Sequence, residues 1–105
     1  MEKELQIYQT GSGRKPFEKW FESISEIHTR AKILTRLDRL KLGNFGDCKS
    51  VGSAVYELRI HHGPGYRIYF GYINQEVVLL ICGGDKGSQV KDIKKYFLDY
   101  QERKV

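Results

Sequence analysis

The chain has 105 residues, of which 40% are hydrophobic and 12% aromatic, enough to bury one core without disulfide staples and too apolar for a disordered tail. Its net charge of +5 and pI near 9.2 favour polyanionic partners without choosing among RNA, DNA and acidic proteins. The first residues lack the apolar core of a signal peptide and no stretch is long enough to span a bilayer, so a cytoplasmic protein without membrane association is expected.

In chain order, Leu5-Gln6-Ile7-Tyr8 predicts a short strand, closed by the breaker run Thr10-Gly11-Ser12-Gly13. Pro16 suits the first turn of a helix, where its missing N–H costs nothing. Phe17, Trp20, Phe21 and Ile24 then recur at helical spacing. Ser25 is the expected N-cap of a longer helix ending near Leu42, with Gly43 as its C-cap. Its inner face is expected to hold Ile27, Ala31, Leu34 and Leu37, widened by Ile33 and Leu40. His28, Lys32, Arg36 and Arg39 line the opposite side, and residues 28–42 carry a local excess of four positive charges. Residues 44–53 read as a polar loop.

The stretch from Tyr56 to Phe70 predicts two strands joined by Gly63-Pro64-Gly65. Alternate residues of a strand face opposite ways. Tyr56, Leu58, Ile60, Tyr66, Ile68 and Phe70 therefore share a greasy face. The other face gathers Glu57, Arg59, His61, Arg67 and Tyr69, which folding alone does not require. A turn at Ile73-Asn74 follows, then the nearly continuous apolar run from Val77 to Cys82, which belongs inside a sheet. Gly83-Gly84-Asp85-Lys86-Gly87 breaks that run. Ser88 can cap a last helix whose inner face is Val90, Ile93, Phe97 and Tyr100. Consecutive strands with short turns and segregated helices predict an α+β domain over residues 1–105. Its antiparallel sheet has about four strands, with a two-helix hairpin on one face and a C-terminal helix partly shielding the other.

Arg59 and Arg67 share outward parity on adjacent strands. Two guanidinium groups placed together repel unless an anion joins them, and their planar forks match phosphate. The alternative is that Glu57 neutralises one of them across the strands. His61 is a candidate for proton transfer near neutral pH, and Tyr69 for proton transfer or base stacking. Lys86 sits where the glycine loop could bring it over the sheet face. Lys32, Arg36, Arg39 and His62 are candidates for RNA phosphate contacts, although a basic helix stripe is commonly just a solvated face. Cys48 and Cys82 match no zinc or redox spacing, and the three histidines lack ligand spacing, so no metal and no cofactor is expected. A nuclease made of these groups would let the RNA 2′-OH attack its own phosphate.

The strings Tyr56-Glu57-Leu58-Arg59-Ile60, Gly63-Pro64-Gly65-Tyr66-Arg67-Ile68-Tyr69-Phe70 and Leu79 to Gln89, with Lys15-Pro16-Phe17 and Trp20-Phe21, resemble the RelE/ParE toxin superfamily. Within it they are similar to the addiction-module killer proteins, also called phage Gp49-like or HigB-like. The resemblance implies a RelE-like fold and a type II toxin–antitoxin toxin that cuts mRNA on the ribosome without metal. It also implies a cognate antitoxin, here expected to be a helix-turn-helix DNA-binding protein, and a toxin that is monomeric alone or heteromeric with that antitoxin. ParE-like relatives instead poison DNA gyrase without being enzymes, and a degenerate copy would serve only as its antitoxin's corepressor. Carried over by position, Arg67 matches the arginine of the family's Tyr-Arg pair, Arg59 a basic position of the preceding strand, and Lys86 approximately a basic residue past the last strand. Glu57 stands where some members have a second lysine, and the C-terminal tyrosine or histidine of several relatives has no secure counterpart.

Overall fold

A computed structural model describes residues 2–52, 54–85, 88 and 90–103. Five strands and three helices are seen among them: β1 (Glu4–Ile7), α1 (Pro16–Ser23), α2 (Ile27–Lys41), β2 (Cys48–Ser50), β3 (Val55–Ile60), β4 (Tyr66–Ile73), β5 (Val77–Asp85) and α3 (Val90–Arg103). The strands form one sheet in the order β1-β5-β4-β3-β2. The sheet is mixed, not antiparallel, because β1 lies parallel to β5, with Leu5 opposite Val78. Two helices and three strands separate β1 from β5 along the chain, so the pair is no hairpin and can run parallel. The fifth strand is β2, inside the expected polar loop. It lies on the sheet's edge, where Lys49 and Ser50 are exposed, so its sequence lacks the apolar alternation that signals a strand.

The two faces of the sheet bury separate cores. Leu58, Ile60, Ile68, Phe70, Val78 and Leu80 meet Phe17 of α1 and Ile33, Leu37 and Leu40 of α2 on one face. This is the greasy parity of the hairpin, and each large aliphatic buried there contributes roughly 1.5–3 kcal/mol. On the other face, Tyr8, Val55, Tyr69, Ile81, Cys82 and Tyr100 cluster with Ile93, Tyr96 and Phe97 of α3. β5 supplies both cores, as its unbroken apolar run requires. A bulge beside Leu80 and Cys82, opposite the step from Tyr69 to Phe70, turns Ile81 and Cys82 toward the same side.

α2 is rotated from the expected setting. Its buried residues are Thr29, Ile33, Leu37 and Leu40, whereas Ile27 is 74% and Leu34 49% exposed. The helix carries two apolar rows, and Thr29 completes the buried one. Its hydroxyl donates to Glu26 Oε2 (2.7 Å), so its polar atom is satisfied inside. Glu26, not Ser25, is the cap: its carboxylate accepts from the N–H groups of His28 (2.9 Å) and Thr29 (2.8 Å). At the other end Gly43 has φ +88°, and the N–H groups of Gly43 and Asn44 reach back to the carbonyls of Leu40 and Arg39. That pattern closes the helix as a Schellman motif.

Gly83 and Gly84 do not break β5; they are part of it. The Trp20 ring lies against Gly83, where an added Cβ would come within 2.2 Å of it. At Gly84 a Cβ would meet the Ser88 hydroxyl, which accepts from the N–H of Asp85 (2.9 Å). Ser88 is thus engaged with the end of β5, two residues before α3 begins.

Candidate functional site

Register, not loop placement, assembles the polar face. In the β3–β4 ladder Arg59 stands directly opposite Arg67, and Glu57 opposite Tyr69. Like charges set opposite each other destabilise a sheet. Glu57 offsets part of this from its own strand, since Arg59 Nε donates to Glu57 Oε1 at 2.8 Å. That hydrogen bond is the leading cause of a raised Arg59 pKa. The expected neutralisation by Glu57 therefore occurs, but along β3 and not across strands. Burial is the main influence that raises the Tyr69 pKa, with Glu57 adding to the rise and Arg67 opposing it.

The hairpin tip places His61 just beyond the last paired residue, because Ile60 pairs with Tyr66. Glycines at both ends of the turn supply the left-handed backbone, with φ +57° at Gly63 and +87° at Gly65. His61 then lies beside Asp47, its Nε2 being 2.5 Å from Asp47 Oδ2. Asp47 precedes the short edge strand, and its carbonyl accepts from the N–H of Arg59 (2.9 Å). Asp47 and His61 are therefore diagonal neighbours on the arginine face. Arg36 holds the same loop: its guanidinium donates to the Phe45 carbonyl (3.0 Å) and lies against Gly46. Partial burial and the neighbouring Arg39 lower its pKa.

These elements enclose a trench. One cavity of about 330 Å³ is lined by Lys32, Arg36 and Arg39 of α2, together with Asp47, Arg59 and His61. A second of about 280 Å³ shares Arg59, Ile60 and His61 with it and continues to Tyr66 and Arg67. Among the described residues that line the two cavities, five cations, Lys32, Arg36, Arg39, Arg59 and Arg67, stand against the carboxylate of Asp47. The basic helix stripe and the hairpin arginines, far apart in sequence, belong to the same surface.

Not every candidate joins it. Tyr69 is only 6% exposed, with its ring against Phe97 at 5.3 Å, so that face of the ring is not open to a nucleobase. α3 covers it, and a further cavity of about 310 Å³ beneath that helix shares Arg67 with the second trench cavity and is lined also by Glu57, Tyr69 and Asp85. His62 turns away toward the start of α2, with Nε2 3.9 Å from Glu26 Oε2. Lys86 falls outside the described residues. Sequence reasoning missed Asp47, hidden in an apparent loop, and the trench position of Tyr66, whose parity also serves the core. Both cysteines are free, and burial pushes the Cys82 thiol up to about 12. Among the described residues no helix is long and apolar enough to cross a membrane.

Residues 19–98 match the family model of the phage-derived Gp49-like proteins, and the chain belongs to that family, a part of the RelE/ParE-like toxin superfamily. A Haemophilus influenzae protein described as uncharacterised is 48% identical over 86 residues, covering 82% of this chain and 87% of its own. Family membership points to a toxin of a toxin–antitoxin pair, with an antitoxin as partner.

Proposed function

We propose that this chain is a toxin that cleaves mRNA on the ribosome, using the trench between α2 and the β3–β4 hairpin to hold the RNA backbone. The observation that carries the reading is the Arg59–Arg67 cross-strand pair, of which Arg59 lines both cavities and Arg67 the second. A sheet gains nothing from two opposed guanidinium groups, whereas a phosphate between them removes the repulsion and is bound by both forks. Lys32, Arg36 and Arg39 extend the positive surface along a strand.

In this reading Arg59 and Arg67 stabilise the charge that builds on the phosphorus oxygens as the RNA 2′-oxygen attacks. His61, exposed at the trench wall, removes the 2′ proton. Tyr66, in place of Tyr69, offers the aromatic surface for a base. Tyr69 acts from beneath α3 through Arg67, with which it lines one cavity. The toxin's partners are then mRNA, the ribosome and a helix-turn-helix antitoxin that keeps it silent.

The test is induction of the wild type and of Arg67→Ala in cells lacking the antitoxin. Wild type should arrest growth with fragmented mRNA, while Arg67→Ala grows normally and stays folded. Unchanged toxicity of Arg67→Ala would sink the assignment. Growth arrest with an SOS response and lost supercoiling, but intact mRNA, would identify gyrase as the target instead.

A further inference from the structure

We infer that Asp47 is the positioning residue for His61: its carboxylate fixes the imidazole as the Nε2–H tautomer and leaves Nδ1 as the atom that takes the 2′ proton of an RNA strand. The inference rests on the ribonuclease reading above and assigns its general base at a stated atom. Its foundation is geometric. Asp47 Oδ2 lies 2.5 Å from His61 Nε2, and a carboxylate can only accept at that contact. Nε2 must then carry the proton, and the lone pair of a neutral ring is confined to Nδ1.

The placement of Asp47 has its own supports. The Arg59 N–H holds its carbonyl, and Arg36 grips the preceding loop through the Phe45 carbonyl. Gly46, at φ +61°, makes that grip possible, because a Cβ there would stand 2.7 Å from the Arg36 guanidinium. Asp47 sets a carboxylate among the trench cations, where it opposes the binding of a polyanion. Its hydrogen bond to His61 gives it a role that offsets this opposition. The same bond is the first cause holding the Asp47 carboxyl below its ordinary range, with His61, Arg59 and Arg36 adding attraction. The charged groups facing His61 are Lys32, Arg36 and Arg39 from α2, Asp47 from the loop, Arg59 from β3 and Arg67 from β4.

The step balances. The 2′-oxygen forms a bond to phosphorus as Nδ1 takes its proton, and the bond from phosphorus to the 5′-oxygen breaks. The products are a 2′,3′-cyclic phosphate and a 5′-hydroxyl. The proton returns to the 5′-oxygen through solvent, to which the trench is open. An imidazolium formed on Nδ1 is stabilised by the Asp47 carboxylate on its far side.

The test compares wild type, Asp47→Asn, Asp47→Glu and His61→Gln on ribosomes programmed with a defined mRNA, alongside nitrogen-15 spectra of the imidazole in the free proteins. His61→Gln should lower the cleavage rate constant by about 10²–10⁴-fold. Asp47→Asn should lower it by at least about 10-fold, and by up to about 10⁴-fold, the loss when a carboxylate no longer holds the tautomer of a catalytic histidine. Its KM should hold or fall, since a negative charge has left a cationic groove. Asp47→Glu should recover part of the rate, and the acid limb of the rate–pH profile should move in Asp47→Asn. The wild-type spectrum should show Nε2–H, and Asp47→Asn a mixture of tautomers. An Asp47→Asn variant with wild-type rate and profile, or a wild-type ring protonated at Nδ1 when neutral, overturns the inference. If the wild type cleaves no mRNA, the ribonuclease reading and the base assignment fall together. If it cleaves while Asp47→Asn is unaffected, only the present inference fails.

Discussion

Gly83→Ala should destabilise the protein because Trp20 occupies the space of a Cβ, and removing the ring should reverse the sign of that effect. The added methyl would stand 2.2 Å from Cε3 and 2.4 Å from Cζ3 of Trp20, where ordinary contact begins at 3.4 Å. The ring cannot easily yield, because Phe17 lies at 5.7 Å on one side and Tyr66 at 6.4 Å on another, centroid to centroid. Overpacking of this kind costs about 1–3 kcal/mol. In a domain of this size each kcal/mol lowers Tm by about 4–8 °C. Gly83 has no left-handed φ, so alanine adds no backbone strain there. In a Trp20→Leu background the clashing ring atoms are gone, and Gly83→Ala should instead stabilise by about 0.4–1 kcal/mol by restricting the unfolded chain. Urea unfolding of the four proteins in this double-mutant cycle measures the coupling. An equal loss in both backgrounds, or no loss in the first, would refute the packing argument.

Salt dependence should report the trench. Lys32→Ala and Arg39→Ala should each reduce the slope of log affinity against log salt for a short single-stranded RNA by about 0.7, measured by fluorescence anisotropy. Slopes identical to wild type would place the strand elsewhere. Glu26 should set part of the acid stability. Its carboxyl is lowered from 4.5 to about 2, first by the Thr29 hydroxyl and then by the N–H groups at the start of α2. Since the folded value lies below the unfolded one, the contribution is full above about pH 4.5 and drains away as pH falls toward about 2. Glu26→Gln should flatten that part of the stability–pH curve, and an unchanged slope would contradict the cap. Cys82 should resist alkylation in the native protein at neutral pH, since burial pushes its thiol up to about 12. Rapid native labelling, read by mass spectrometry, would contradict its burial.

The hairpin was legible because strict alternation fixes faces without knowledge of the rest of the fold. That alternation predicted the parity that sets Arg59 opposite Arg67, and the apolar run of β5 predicted its interior place. Features set by distant partners were not legible. Nothing local shows that Gly83 lies under Trp20, so the glycine pair read as a breaker although β5 continues through it. The two apolar rows of α2 were equally good candidates for burial, and the sheet, with Thr29 satisfied by Glu26, selected one. β2 is held by backbone pairing to β3 and carries no apolar alternation, which concealed the strand and Asp47 with it. The cationic character of α2 was evident, but its union with the hairpin depends on how the helix packs across the sheet.

The most direct measurement is the chemistry of the ends left on mRNA by the purified protein acting on programmed ribosomes. The account predicts cleavage that leaves a 2′,3′-cyclic phosphate and a 5′-hydroxyl, abolished by Arg67→Ala. Intact mRNA, a 3′-hydroxyl product, or full cleavage by Arg67→Ala would contradict it.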